Sequence, residues 1–304
     1  MSLYTRLAWD GIRKNGRLYL PYILTCVGMV TMYYMMSELC ASDLLRYMKG
    51  GGASHIILGL GSWVIAVFSA LFGTPLTATV FALEVISVGV LYYAGLIPCL
   101  MSASVGYLIA TLLGVSPTRF TVMLPALNVW TMFLVMLLAI GCALVSILFV
   151  RGMHFIEYGA VKGLKNPYIR AAVGGFLIIG LTLLLGRDYN GAGMDIITRA
   201  VEQGQATPWA WFLKILFTAV TIGCGFKGGE VVPSFFVGAC FGCVLGGFLG
   251  LPAGFGAAIG LVAVFCGAVN CPIASVFLSI ELFGTGDLLY FTMACAISYL
   301  LSGY

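Results

Sequence analysis

The segment Gly225-Phe-Lys-Gly-Gly-Glu-Val-Val-Pro233 runs directly into the apolar residues 234–250. Its glycines predict a tight loop, and its proline predicts the first turn of a helix that continues through the apolar run. An apolar run of nearly this length is what a bilayer requires of a crossing helix. The segment therefore predicts a helix start inside a membrane protein, which is a common setting for an ion-handling site.

The composition identifies an integral membrane protein. The 304 residues are 61% hydrophobic and 9% charged, with a mean hydropathy of +1.07, and soluble domains do not have this balance. The alternation typical of a β-barrel is absent, so we expect an all-α, multi-pass fold. Apolar runs near the length of a bilayer crossing cover residues 18–38, 55–71, 90–113, 129–150, 169–186 and 210–224, and most of the remainder.

The charged and metal-binding residue types exclude several classes of partner. The net charge of +4 comes mostly from residues beside the apolar runs, and Arg6, Arg13, Lys14 and Arg17 precede the first run. The positive-inside rule therefore predicts a cytoplasmic amino terminus, and no nucleic-acid partner is expected. The ten cysteines lie mostly in apolar runs and are expected to be small core residues. Neither histidine has metal-ligand spacing, so no metal site is expected.

Two distant segments resemble each other. Phe72-Gly-Thr-Pro-Leu-Thr-Ala-Thr-Val-Phe-Ala-Leu-Glu84-Val85 aligns with Val269-Asn-Cys-Pro-Ile-Ala-Ser-Val-Phe-Leu-Ser-Ile-Glu281-Leu282, and in both a proline precedes a glutamate by nine residues. Each copy predicts a helix that begins at its proline. A repeat of this kind is expected of a duplicated transport fold, and chance similarity between apolar segments is the alternative.

The glycine and proline positions also predict how the helices are divided. Breaks at 186–193, 225–233 and 250–256 predict half-crossing helices, whereas 128–162 predicts one helix longer than a bilayer crossing. The four glycines that recur every four residues predict one closely packed helix face. They are Gly238, Gly242, Gly246 and Gly250.

The residues around Glu230 support two interpretations. A helix that starts near residues 231–233 presents unpaired backbone N–H groups that could hold an anion, and Glu230 could take up a proton beside it. Alternatively, the glycines only form a turn, and Glu230 is a solvated acid or a helix cap. Glu84 and Glu281 are likewise either members of a proton path or acids at helix ends that face water. No signature of catalytic residues is present, so no enzyme activity and no cofactor are expected.

From about Phe72 to its end, the chain resembles the CLC family of chloride channels and proton-coupled anion antiporters. The resemblance rests on the two Pro–Glu segments above and on residues 210–250, which together and in this order are specific. The Gly-Gly-Glu-Val-x-Pro pattern at 228–233 is most similar to the fluoride-exporting bacterial branch, in which the position of Val232 is usually threonine.

This resemblance implies an all-α integral membrane protein with an inverted-repeat helical transporter fold, present as a homodimer in the plasma membrane, specifically a bacterial inner membrane. It implies transport of fluoride or chloride by a channel or a proton-coupled antiporter, with protons as a further candidate substrate. Backbone amides would hold the anion, and the implied anion-binding residues are Gly229, Glu230, Val231 and Val232. The implied helix-start loop includes Gly225, Lys227, Gly228 and Pro233, and the candidates for the proton or ion path are Glu230, Glu84 and Glu281.

The sequence departs from the family at three places. Val85 occupies a position where proton-coupled chloride antiporters often carry a glutamate, which argues against that proton route. The family's gating glutamate has no match before Phe72, and Tyr304 does not correspond to its pore tyrosine. We therefore expect an incomplete transport domain over 71–304 with passive, poorly gated flux.

Residues 1–70 resemble the start of an FtsX-like permease of the bacitracin-export type, through Leu7–Tyr22 and Leu60–Ser69. They predict a permease-like segment with one to two transmembrane helices. Two alternatives to anion transport follow, namely a membrane subunit or remnant of an ABC permease complex, and a nonfunctional chimeric fragment.

Overall fold

The computed structural model describes residues 64–85, 95–226, 228–286 and 288–303, and every regular element among them is helical. The predicted all-α fold is confirmed for this part of the chain. The basic amino terminus, the first predicted span and Lys227 lie outside the described residues. Helical residues 64–72 are followed by α1 (Pro75–Val85), α2 (Leu96–Leu112), α3 (Val129–Gly163), α4 (Pro167–Leu185), α5 (Met194–Glu202), α6 (Ala210–Gly223), α7 (Val231–Phe248), α8 (Ala253–Val269), α9 (Pro272–Phe283) and α10 (Leu288–Ser302).

The helix lengths agree with a membrane fold built from whole and partial crossings. In the described part of the chain, α3, α4 and α7 are long and apolar enough to cross a membrane. At about 1.5 Å per residue, the 35 residues of α3 exceed the hydrocarbon thickness, as predicted. Six further apolar helices have 10–17 residues. Short helices of this kind are typical of transporters whose helices break within the membrane.

The helix starts follow the polar and proline signals in the sequence. The Asn128 and Asn166 side chains accept hydrogen bonds from the backbone of Trp130 and Tyr168, at 3.3 and 3.0 Å, and so cap α3 and α4. The repeated segments both form short helices, α1 and α9, which begin at Pro75 and Pro272 as predicted.

The chain divides into two compact units, the first ending at Thr118 and the second beginning at Arg119. In the described part of the first unit, residues 64–72 pack on α2. The Ser69 hydroxyl donates to the backbone oxygen of Ala103 at 2.7 Å, and Gly106 lies against the backbone of Ala66. The Phe68 ring stacks on Phe81 of α1. The predicted boundary near residue 70 stays a prediction.

The core of the second unit is built around α8. Every residue from Phe255 to Gly267 is buried, and α3, α7 and α10 pack against this helix. Small residues let the backbones approach, so that the Ser298 hydroxyl of α10 donates to the backbone oxygen of Ala263 at 2.6 Å. This buried position explains why the sequence of α8 is apolar on all sides, because no face of the helix meets solvent.

The predicted glycine face is confirmed in α7 at three of its four positions. A Cβ atom on Gly238, Gly242 or Gly246 would collide with the backbone of Gly256 or Gly260 in α8, so only glycine permits this contact. The prediction was wrong for Gly250, which follows the end of α7 and has a φ of +82°. Gly250 instead ends the helix, since its N–H donates to Gly247 and that of Leu251 donates to Gly246.

The described cysteines behave as small interior residues. Eight of them are free and buried. Cys240 and Cys243 have the spacing of a C-x-x-C pair, yet both lie in the buried part of α7 with free thiols. No cluster that could hold a metal ion occurs within the described ranges.

Candidate functional site

The site predicted around Glu230 begins at the end of α6. The N–H of Gly225 donates to the backbone oxygen of Ile222, and that of Phe226 donates to Thr221, at 2.9 and 3.2 Å. This pair of bonds is the Schellman arrangement, which places a residue of positive φ after the helix. Gly225 has a φ of +94°, so its glycine is required by the turn.

The next two glycines of the loop, Gly228 and Gly229, have a different environment from that of Gly225. Gly228 and Gly229 are exposed, and a Cβ atom on either would meet no atom of the described residues within 4 Å. Neither has a positive φ. Packing and backbone strain therefore do not explain these glycines, which leave the backbone before α7 accessible. Lys227, between Phe226 and Gly228, lies outside the described residues.

The first turn of α7 presents a short run of backbone donors. The helix begins at Val231, and its first intrahelical bond runs from the N–H of Ser234 to the oxygen of Glu230 at 3.0 Å. Pro233 has no N–H, so the amides at this helix start are those of Glu230, Val231 and Val232. The Ser234 hydroxyl donates to Val231 oxygen at 2.6 Å, so it does not compete for these donors.

The Glu230 side chain is exposed and forms no capping hydrogen bond to α7. Glu230 therefore occupies the N-cap position of α7 as an exposed acid, without a capping bond from its side chain. As the residue before the first helical position, it places a carboxylate where the helix dipole is positive. Its acid group is close in sequence to the three amides and remains available to a solvated ion or a proton.

A buried cation supports the body of α7 and was missed by sequence reasoning. Lys214 in α6 is 2% exposed, and its Nζ donates to the backbone oxygens of Tyr189 and Gly191 at 3.0 and 2.5 Å. Nζ also lies 5.0 Å from the centre of the Phe236 ring. Lys214 thus joins the α4–α5 connection to α6 and α7. The available signal was a single lysine within an apolar run, which is expensive at bilayer depth without partners.

The repeated glutamates both lie near the end of a short helix. Glu84 is next to the last residue of α1 and is 6% exposed, so the interpretation that it faces water is wrong. Glu281 lies two residues before the end of α9 and is half-buried. The two acids belong to different units, and each is described only within its own unit.

Comparisons with known proteins agree with this fold. Residues 53–303 match the family described as voltage gated chloride channel. The chain is 36% identical over 259 residues to the chloride/fluoride channel protein of Pseudomonas syringae pv. tomato, covering 82% of this chain and 56% of that protein. It is 27% identical over 250 residues to an uncharacterized protein of Methanocaldococcus jannaschii, covering 80% and 62%. The chain therefore spans little more than half the length of these curated relatives.

Two solved structures show the same fold. A CLC-type fluoride/proton antiporter matches with a TM-score of 0.74 and 24% identity, over 97% of this chain and 89% of that one. A eukaryotic CLC transporter matches with a TM-score of 0.65 and 19% identity, over 87% and 45%. With most of its length matched by the family and by these helical structures, the chain belongs to the voltage gated chloride channel, or CLC, family and is a multi-pass membrane protein.

Proposed function

We propose that this chain moves a small halide anion, fluoride or chloride, across a bilayer along a path that passes the first turn of α7. The observation that carries the proposal is the run of backbone amides at Glu230, Val231 and Val232, which precedes the first intrahelical bond at Ser234. The accessible backbone at Gly228 and Gly229 leads to the same place.

Backbone amides suit an anion that must also leave. A helix start carries roughly half a positive charge, which compensates for part of the lost hydration of the ion. A full cation at the same place would hold the halide more tightly. Several partial donors can therefore bind the ion and still release it, which is the requirement for conduction.

Glu230 is proposed to take part in this path. Its carboxylate would repel a bare halide, but in the protonated form it can donate a hydrogen bond to the anion. Anion movement past this residue is then favoured when a proton is present. In an antiporter the anion and the proton move in a fixed ratio, whereas in a channel they do not. Proteins named as a channel and as an antiporter both occur among the matches above.

The choice between fluoride and chloride rests on two observations. The relative from Pseudomonas syringae is named for both ions, and position 232 carries valine, whose side chain has no hydroxyl to offer the ion. We propose that both ions pass and that fluoride is preferred only weakly. A homodimer in a bacterial inner membrane is part of the same proposal, and no covalent chemistry is assigned to the chain.

The test is anion efflux from liposomes that contain the purified chain, measured with fluoride and chloride electrodes in parallel. We expect flux above empty vesicles, and a decrease of about tenfold in Glu230→Gln, equivalent to about 1.4 kcal/mol. The matched control is Glu202→Gln, which neutralises an exposed acid at the end of α5 and should leave flux unchanged.

Three results would contradict the proposal. Monodisperse protein with no flux above empty vesicles would favour a nonfunctional fragment. Equal effects of the two glutamate substitutions would remove Glu230 from the path. An ATPase subunit that copurifies, with flux that depends on ATP, would favour the ABC permease alternative, which concerns the segment 1–70.

A further inference from the structure

The last turns of α3 carry aromatic and basic side chains on one face. Phe155, Tyr158 and Lys162 are separated by three and four residues, and this spacing places them along one side of a helix. All three are exposed, Phe155 by 80% and Tyr158 by 68%. The Lys162 Nζ lies 5.8 Å from the centre of the Tyr158 ring. They form one exposed surface, which we name the basic–aromatic stripe.

The length of α3 places this stripe at the edge of a bilayer. Trp130 and Phe133 are exposed aromatic residues in the first turns of α3, with ring centres 5.7 Å apart. Trp130 and Phe155 are 25 residues apart, which is about 38 Å along a helix. A bilayer measures about 30 Å across its hydrocarbon core and about 40–45 Å with its headgroups. The exposed rings therefore mark the two interfaces, and Lys162, about 10 Å beyond Phe155, lies at the level of the headgroups.

The two ends of α3 differ in charge. The helix contains no Asp, Glu, Lys or Arg before Arg151, whereas Lys162 and Lys165 follow its last turns. The one acid there, Glu157, lies 3.8 Å from Nδ1 of His154, and no ion pair among the described residues involves the three basic side chains. The positive-inside rule assigns this end to the cytoplasm. Its unpaired positive charge is complementary to the anionic headgroups of that leaflet.

The start of α4 extends the same surface. Lys165 and Tyr168 are exposed on either side of Pro167, with Tyr168 exposed by 84%. Because α3 and α4 are both long and apolar enough to cross a membrane, the turn between them lies at the membrane surface. Two lysines and two tyrosines therefore meet the headgroup layer within a few residues of one another in sequence.

We propose that the basic–aromatic stripe and the α3–α4 turn bind the headgroup of an anionic phospholipid in the cytoplasmic leaflet. Lys162 and Lys165 donate hydrogen bonds to the lipid phosphate group, while the Phe155 and Tyr158 rings lie beside the glycerol region and the first acyl carbons. Exposed rings at this depth favour a lipid over a free phosphate ion, because only the lipid supplies apolar contacts beside the charge.

The test measures phospholipid bound to the full chain in detergent by native mass spectrometry, with dioleoyl phosphatidylglycerol and dioleoyl phosphatidylcholine titrated separately. We expect phosphatidylglycerol to bind about tenfold or more tightly. Lys162→Gln and Lys165→Gln should each weaken this binding about fivefold, the contribution of one lysine near an anionic surface, and leave phosphatidylcholine binding unchanged. Tyr158→Ala should weaken binding of both lipids. The matched control is Arg187→Gln, which removes an exposed positive charge just beyond the other end of α4 and should bind as the unchanged protein does.

The proposal is overturned if the unchanged chain binds the two lipids equally, or if both lysine variants keep the full affinity for phosphatidylglycerol. An equal loss in Arg187→Gln also overturns it, because the effect would then be one of general surface charge. Displacement of phosphatidylglycerol by an excess of inorganic phosphate would identify a site for free anions instead. Lys162 and Lys165 are exposed, so their variants are expected to fold, and monodispersity in detergent checks this. Binding is measured without transport, so the result does not depend on the proposed function.

Discussion

Two groups of glycines flank or lie within α7, and their environments are opposite. Gly238, Gly242 and Gly246 are held against the backbone of α8, where no Cβ atom fits. Gly228 and Gly229 precede the first turn, and a Cβ atom on either would meet no atom of the part of the chain that the structure describes. The first group is required by packing, whereas the second group leaves a run of backbone exposed beside three amide donors. Glycine therefore allows close packing of helices within α7 and leaves the backbone exposed before it.

From these two environments we expect some glycine substitutions to affect stability and others to affect transport. A side chain added in the packed group must displace backbone, so the whole second unit should suffer. A methyl group added at Gly228 or Gly229 meets no atom among the residues that the structure describes, so the fold should persist while the approach to the amides changes. Measuring stability and flux on the same variants tests this separation.

The largest effect is expected from Gly242→Ala. The new Cβ atom would lie 2.8 Å from Cα of Gly260 and against the Gly256 carbonyl, so α7 and α8 must separate. We expect a loss of about 3 kcal/mol or more in the free energy of unfolding, measured by denaturant unfolding in detergent. The control is Gly247→Ala on the same helix, where the nearest atom would be 3.8 Å away. Equal losses in both variants would contradict the assignment of the packed face.

A smaller loss is expected from Lys214→Met, which tests the support of α7 between its start and its packed half. The substitution removes both hydrogen bonds to the α4–α5 connection and should lower the free energy of unfolding by about 1–3 kcal/mol. Lys214→Arg should lose less because it keeps donors and charge. The exposed Lys165→Met serves as control, and a comparable loss there would show that Lys214 has no special role.

Gly229→Ala probes the open group directly. Because the added methyl group meets no atom of the described ranges within 4 Å, the free energy of unfolding should change by no more than about 0.5 kcal/mol. Fluoride efflux should nevertheless fall a few-fold, since the methyl group narrows the approach to the amides. A large loss of stability with normal flux per folded protein would reverse the proposed roles of the two glycine groups.

The smallest effect is expected from Val232→Thr, which is nearly isosteric and lies in the first turn of α7. The new hydroxyl supplies one further donor beside the amides, and a single hydrogen bond contributes about 1 kcal/mol. We expect the ratio of fluoride to chloride efflux to rise up to about fivefold with unchanged stability. A ratio that stays constant would mean that position 232 does not contact the ion. Val244→Thr, in the same helix and remote from its start, is the control.

Some helices could be predicted from proline positions and apolar runs in the sequence. Pro75 and Pro272 mark helix starts because proline lacks an N–H that the first turn does not use, and the apolar run after Pro233 predicts α7. The prediction that Gly250 lies on the packed face of α7 is wrong. This residue continues the four-residue spacing, but it is the residue of positive φ after the helix. A spacing pattern does not report φ, so the pattern alone could not separate these two uses of glycine.

Only the local parts of the candidate site could be predicted from the sequence. The helix start at Val231 and the turn at Gly225 follow from nearby residues. The support that Lys214 gives to α7 could not be predicted, because its hydrogen-bond partners are 23 and 25 residues away in sequence. Contacts of this kind depend on how the helices cross, and no local pattern encodes that.

Hydropathy, helix starts and turns depend on neighbouring residues. The membrane class, the glycine loop, the two proline-led helices and the resemblance to the CLC family could therefore be predicted from the sequence alone. The packed helices were needed to distinguish the glycines held against α8 from the exposed ones, and to show that Lys214 is buried against two carbonyl oxygens. Burial, hydrogen-bond satisfaction and close backbone contact arise between residues that are distant in the chain, because they are properties of helices packed together.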